Sequence, residues 1–216
     1  MTEERNIVQQ IGQLFQVHPW HGIPTWAGPG RVLNAFIELV PTDGVKYELD
    51  QKTGHLRVDR PQRFSNRCPT LYGFLPRTLG GASVASRSSE VTGRPGLLGD
   101  GDPLDVCVFF EGAIRRGGFL AHVRPVGGIR TLDGQTADDK ILAVLDSDPA
   151  YGVASESDQV PTGLLDRLRH YFETYKQPPD AMTPRVTVAE TFNRAEAFEV
   201  IRRAEADYAS AFPRAL

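Results

Sequence analysis

Three carboxylates fall within six residues in Asp100-Gly101-Asp102-Pro103-Leu104-Asp105-Val106, and they run directly into the apolar stretch Cys107–Phe110. Carboxylates held this close repel one another, so a fold that keeps them together must bring positive charge to them. Asp100 and Asp102, two residues apart, share a face of an extended backbone, while Asp105 opens the following strand. Oxygen donors at this spacing suit a hard divalent cation such as magnesium, which completes its shell with water and phosphate oxygens. Taken alone, the stretch equally suits an acidic turn before a strand, with Asp102-Pro103 initiating the turn. The rest of the chain has to decide.

The pattern around this turn is one of short strands. Leu33–Val40 is apolar apart from Asn34 and Glu38, and Val45–Asp50 and His55–Asp59 alternate about a Lys52-Thr53-Gly54 turn, which predicts a hairpin. Further strands are expected at Asp105–Phe110, Phe119–Pro125, Gly128–Leu132 and Lys140–Leu145. Leu164, Leu168, Tyr171, Phe172 and Tyr175 share one stripe and predict a helix over Gly163–Lys176 that stops before Gln177-Pro178-Pro179. A last helix starts at the cap Asn193, with Glu196 at the capping-box position and Ala197, Phe198, Ile201, Ala204, Tyr208 and Phe212 on its buried side. Many short strands followed by two helices predict a mainly β, α+β chain in which a β-barrel carries helices outside it.

The 216 residues fit one domain. Residues 1–33 read as a peripheral extension with a short helix over Arg5–Gln16, followed by a loop. Gly80–Gly99, rich in glycine, serine and arginine, reads as an inserted mobile loop. His18 and His21 are spaced for a metal, but the intervening Pro-Trp lends no rigid geometry, and packing of Trp20 and Trp26 is the plainer reading. The polar, acidic N-terminus has no apolar core or cleavage site of a signal peptide, no run is long enough to span a bilayer, and the two cysteines form no framework. A cytoplasmic location is therefore expected, with no membrane partner. A net charge of −3 argues against a general polyanion binder.

A second acidic cluster, Asp133, Asp138 and Asp139, precedes Lys140, and a third group of Glu38, Lys46, Glu48, Asp59 and Arg60 lies on the early strands. Lys46 and Glu48 share a strand face. Charges of both signs on the inner surface of a small barrel are costly unless they meet one another, metal and an anionic substrate. Acidic ligands for metals beside basic ligands for phosphates equip a site for phosphoryl transfer or phosphoanhydride hydrolysis.

At this point the chain resembles the soluble family I inorganic pyrophosphatases. The resemblance is carried by residues 100–106, Glu38-Leu39-Val40-Pro41, Lys46-Tyr47-Glu48-Leu49-Asp50, Asp59-Arg60, Tyr72-Gly73-Phe74, Arg124-Pro125-Val126-Gly127, Asp133 to Lys140, and His170 to Lys176, in the family's order over residues 34–212. It implies an OB-like five-stranded barrel, several magnesium ions per site, hydrolysis of pyrophosphate to two orthophosphates, and a homo-oligomer, commonly a hexamer in bacterial members. It implies that Asp100, Asp105 and Asp138 bind activating metals, Asp105 bridging two, and that Asp133 with Asp138 binds one arriving with substrate. Asp102 then deprotonates the attacking water. Lys46, Arg60, Tyr72, Tyr175 and Lys176 bind phosphate, Arg60 and Lys176 on the leaving group, and Glu38, Glu48 and Lys140 support the cavity. Cys68 falls where many bacterial members carry a second pocket tyrosine, which puts one auxiliary contact in doubt.

Three other readings compete. A single-stranded nucleic-acid module would need a basic groove, but aspartates occupy the strand faces. A calcium-stapled structural protein would need neither Lys46, Arg60 nor Lys176. A phosphatase of nucleotides would need a slot for a base, and no aromatic or apolar slot is evident.

Overall fold

The computed structural model describes residues 16–28, 31–177, 180 and 182–213. The helix expected over Arg5–Gln16 lies, apart from Gln16, outside them. Five strands close on themselves: β1 (Leu33–Leu39), β4 (Leu71–Phe74), β6 (Asp105–Phe109), β9 (Lys140–Leu145) and β7 (Phe119–Asp133), which pairs back onto β1. All neighbours in the ring are antiparallel except β6 and β9. β10 (Val186–Asn193) extends the sheet along β7, and the two-residue strands β5 (Leu98–Gly99) and β8 (Thr136–Ala137) finish it. β2 (Val45–Leu49) and β3 (Leu56–Pro61) form the separate expected hairpin. Three α-helices, α1 (Ala82–Thr92), α2 (Thr162–Thr174) and α3 (Arg194–Ala211), and a 3₁₀ turn at Ser157–Gln159 complete the described residues.

The apolar runs are continuous rather than alternating because both faces of the ring strands are covered. Val106 and Val108 of β6, with Ile141 and Ala143 of β9, join a cluster that includes Ala197, Val200, Ile201 and Ala204 of α3. The intervening Cys107, Phe109, Leu142 and Val144 join a second cluster with Leu168, Tyr171 and Phe172 of α2. The two helices thus seal opposite residue sets of the same strands. Asn193 caps α3, its side chain accepting from the Glu196 N–H at 3.0 Å.

Four expectations are corrected. Gly80–Gly99 is not an uninterrupted loop, because residues 82–92 form α1, a helix added to the two expected at the C-terminal end. The Asp207 carboxylate of α3 accepts from the backbone N–H groups of Ser83 (3.0 Å) and Val84 (3.1 Å), so the cap of α1 comes from far along the chain. The two strands expected at Phe119–Pro125 and Gly128–Leu132 are one, β7, with a register shift between Pro125 and Gly127 that accommodates a proline without an N–H. β10 was not anticipated at all. Finally, the early loop is not peripheral: Trp20 is 2% exposed, lies in a cluster with Phe36, Leu49, Phe74 and Tyr208, and donates its indole N–H to the Thr78 carbonyl. His21 stacks on Trp20 and meets the Tyr208 hydroxyl at 2.7 Å, which places the histidine pair in aromatic packing. Among the described residues no helix is long and apolar enough to cross a membrane.

Candidate active site

The acidic turn is held by its own backbone. Gly101 takes φ = +77°, a left-handed conformation that favours glycine, and the Asp102 N–H donates to Asp100 Oδ1 at 3.0 Å. Gly80 donates its N–H to the Asp102 carbonyl at 2.8 Å, tying the turn to the segment that enters α1. Asp105 begins β6, and parallel pairing sets it opposite Lys140 of β9. The Lys140 ammonium therefore reaches Asp105 (2.8 Å) and Asp138 (2.5 Å), while the Tyr72 hydroxyl of β4 donates to the same Asp105 carboxylate. Burial alone would lower the Lys140 pKa, but these two carboxylates more than offset it and hold the ammonium charged.

The hairpin supplies the opposite wall. Antiparallel register sets Lys46 against Arg60, and the Lys46 ammonium contacts Glu48 and approaches Asp59 at 3.5 Å. Arg60 pairs with Asp59. Past the end of α2, two cations approach the Tyr175 ring, the Arg60 guanidinium at 5.9 Å and the Lys176 ammonium at 5.3 Å from its centre. Lys176 also pairs with Asp133 at 2.9 Å, and Arg185 does so at 3.1 Å.

These groups line one cavity of ≈ 260 Å³: Lys46, Glu48, Asp59, Arg60, Tyr72, Asp100, Asp102, Asp105, Asp133, Thr136, Asp138, Tyr175 and Lys176. Of the residues expected from the sequence, only Glu38 and Lys140 are not on its surface. Lys140 is fully buried behind Asp105 and Asp138. Glu38 lines an adjoining cavity of ≈ 500 Å³ that shares Glu48 and Asp102, and its carboxylate accepts the Leu49 N–H at 2.7 Å, fastening β1 to the hairpin. A wider groove of ≈ 780 Å³ holds Cys68 instead, whose thiol packs in the α2 cluster and does not line the carboxylate cavity. Its pKa is pushed up to about 11 by burial. The carboxylate cavity is smaller than either neighbour, but the ionisable groups converge on it. Sequence reasoning missed Thr136 as a lining residue, left Asp59 without a role, and missed Gln51, whose amide donates to Asp102 Oδ1 at 2.7 Å.

The electrostatics are lopsided. Glu48, Asp59, Asp100, Asp102, Asp105, Asp133 and Asp138 line the cavity against Lys46, Arg60 and Lys176. Burial, followed by the charge of Asp138, raises the Asp100 pKa, and burial followed by Asp105 raises that of Asp102. Burial also raises Glu38 to about 8. Asp133 goes the other way, because Lys176 and Arg185 outweigh its partial burial. An excess of oxygen donors with raised proton affinity, and no thiol or imidazole on the wall, fits hard divalent cations. Among the described residues no three acidic, histidine or cysteine side chains gather about one point ready to hold an ion. Two of the carboxylates are turned to Lys140.

A family model described as inorganic pyrophosphatase matches residues 35–209. The inorganic pyrophosphatase of Chlamydia muridarum (strain MoPn / Nigg) is 44% identical over 200 residues, covering 91% of this chain and 96% of that protein. Soluble inorganic pyrophosphatase 1 of Arabidopsis thaliana is 35% identical over 160 residues, 74% of this chain and 66% of that one. Among solved structures, the inorganic pyrophosphatase from Thermus thermophilus matches with a TM-score of 0.72 at 28% identity, covering 88% of this chain and 98% of that chain.

Proposed function

The chain belongs to the inorganic pyrophosphatase family, enzymes that hydrolyse pyrophosphate, and from that premise we propose that it works with magnesium and a water activated in the ≈ 260 Å³ carboxylate cavity. The observation that carries this reading is the meeting of the Asp100–Asp105 turn, Asp133 and Asp138 with Lys46, Arg60, Tyr175 and Lys176 around one cavity.

Asp100, Asp105 and Asp138 would hold the activating magnesium ions, and Asp133 with Asp138 one that arrives with substrate; bound magnesium neutralises the anion and makes water a stronger acid. Asp102 takes the proton of the attacking water. Its raised proton affinity suits a general base, and the Gln51 amide fixes one of its oxygens and so orients the other. Lys46, Tyr72 and Tyr175 bind phosphate oxygens, while Arg60 and Lys176, both close to the Tyr175 ring, take the leaving phosphate. Lys140 holds Asp105 and Asp138 at fixed positions, Glu48 orients Lys46, and Glu38 anchors the hairpin. No covalent nucleophile is needed.

The closed five-strand ring supports the OB-like reading of the fold. Assembly into a homo-oligomer, a hexamer by the family resemblance, and a cytoplasmic location belong to the same proposal. The test is orthophosphate release from pyrophosphate with and without magnesium, with ATP in parallel. Fast magnesium-dependent release from pyrophosphate alone is expected. Equal release from ATP would sink the substrate assignment, and release unaffected by magnesium would sink the metal role.

A further inference from the structure

The turn between β2 and β3 reaches the acidic turn through Gln51, whose amide donates to Asp102 Oδ1 at 2.7 Å. That turn is tied internally. The Asp50 carboxylate accepts from the Lys52 and Thr53 N–H groups at 3.2 and 2.9 Å, and the Asp50 carbonyl accepts from Gly54 at 2.8 Å. Against the turn lies His18, whose Nε2 meets the Gln51 carbonyl at 3.2 Å. A carbonyl can only accept, so Nε2 is the donor, and Nδ1 accepts from the Trp20 and His21 N–H groups at 3.2 and 3.4 Å. These partners select one tautomer of the ring. The approach is close: Gly54 takes φ = +73°, and a Cβ there would stand 2.9 Å from His18 Cδ2 and 3.1 Å from Pro19 Cδ. Behind His18 the loop is anchored in the core, with the Trp20 carbonyl accepting from Arg77 at 2.9 Å and the Trp20 indole bonded to the Thr78 carbonyl at 2.8 Å.

We propose that His18 is a positioning residue for the hydrolysis: it fixes the Gln51 carbonyl, so that the Gln51 amide holds one Asp102 oxygen and leaves the other for the attacking water. The proposal rests on the reading of Asp102 as the general base. β2 and β3 pair with each other and not with the ring, and two strands alone make a marginal structure. The aim of Gln51 therefore depends on outside contacts: Glu38 fastens the hairpin at Leu49, and His18 holds the turn beyond it. A misplacement of about 1 Å can cost about a hundredfold in rate, so a residue that never meets substrate can set kcat. Gln51 lines the adjoining ≈ 500 Å³ cavity and not the carboxylate cavity, and His18 lines neither. Their loss should therefore appear in kcat and not in KM.

The test is steady-state pyrophosphate hydrolysis by the full chain at saturating magnesium. Gln51→Ala should lower kcat about fivefold, the worth of one ordinary hydrogen bond, with KM unchanged. His18→Asn keeps an oxygen that accepts the Trp20 and His21 N–H groups but is too short to reach Gln51. It should lower kcat by the same factor with an unshifted thermal midpoint, whereas His18→Gln, whose amide extends as far as Nε2, should retain kcat. The double variant His18→Asn, Gln51→Ala should be no slower than Gln51→Ala, because both changes break one chain of contacts. Full kcat in His18→Asn, or losses that multiply in the double variant, overturns the role of His18. So does a loss of kcat that only follows the folded fraction, which would make His18 purely structural. Undiminished turnover in Asp102→Asn would sink the base reading instead, whatever the His18 variants show.

Discussion

Asp102 is a carboxylate placed where a carboxylate is electrostatically unwelcome. Burial and Asp105 both disfavour its charge, and Gln51 opposes them only in part. A group in that position gains proton affinity at the cost of stability, which is the trade a general base needs. Asp102→Asn keeps the acceptor for Gln51 and removes the proposed base. Turnover should fall by about a hundred- to ten-thousandfold, the usual contribution of general base catalysis, while the thermal midpoint at neutral pH holds or rises. Orthophosphate release and calorimetry on the same sample check both halves, and undiminished turnover would take Asp102 out of the reaction. Glu38 makes a second test by pH. Its carboxyl is raised from 4.5 to about 8, chiefly by burial, so the folded protein binds this proton more tightly than the unfolded chain. Its contribution to stability is then complete below pH 4.5 and is lost as pH rises through about 8. In metal-free buffer the parent midpoint should decline over that range, and Glu38→Gln should flatten the decline. An unchanged slope would mean that Glu38 is charged throughout. At this scale the aspartates were legible because acidic clusters recur along the chain beside Lys46, Arg60 and Lys140, and charges of both signs on one inner surface are costly unless they meet. Gln51 was not, because it is an ordinary polar residue of a connecting segment until the fold sets it beside Asp102.

The elements whose apolar period is local were equally legible: the hairpin, β6, β9, α2 and α3. Those whose stability comes from elsewhere were not. α1 buries only Val84, Ala85 and Ser88, and Asp207 of another helix caps its first turn. β10 was overlooked although its run Val186-Thr187-Val188-Ala189-Glu190-Thr191-Phe192 is strand-like, and seven paired positions along β7 hold it. What binds these elements together is Arg130 of β7, whose side chain is fully buried and pairs with Asp139 at 3.1 Å, with Glu196 of α3 at 2.9 Å and with Glu190 of β10. Arg87 of α1 joins through Glu196 at 2.6 Å, and the Arg130 guanidinium lies 5.0 Å over the Phe192 ring. One cation thus clamps two strands and two helices next to the Asp138–Lys140 segment. Arg130→Met should cost about 3–5 kcal/mol, because Asp139 is left buried without its partner. Adding Asp139→Asn should return part of that loss, since a neutral pair carries no uncompensated charge. Urea unfolding of the single and double variants measures the difference. A double variant no more stable than Arg130→Met would show that the stranded carboxylate was not the cause.

The ring as a whole is the device that assembles the site. Each of its strands delivers one group: Glu38 at β1, Tyr72 at β4, Asp105 at β6, Lys140 at β9 and Asp133 at the end of β7. None of these strands touches all the others, so the groups meet only if the ring closes. Its tightest seam lies between β1 and β4, where Gly73 pairs with Ile37. A Cβ at Gly73 would stand 1.9 Å from the Phe36 carbonyl oxygen and 2.9 Å from the Ile37 Cα, and both are backbone atoms of a buried strand that cannot swing away. Gly73→Ala must therefore push β4 off β1, which moves Tyr72 away from Asp105 and opens the ring beside Glu38. The cost should reach about 3 kcal/mol, the upper range for overpacking a well-filled core. Because the seam and the site are one structure, pyrophosphate hydrolysis should fall together with the folded fraction across a denaturant titration, both shifted to lower urea. A Gly73→Ala protein with full activity and an unshifted midpoint would mean that the site assembles without the β1–β4 seam, and the dependence of function on closure would be lost.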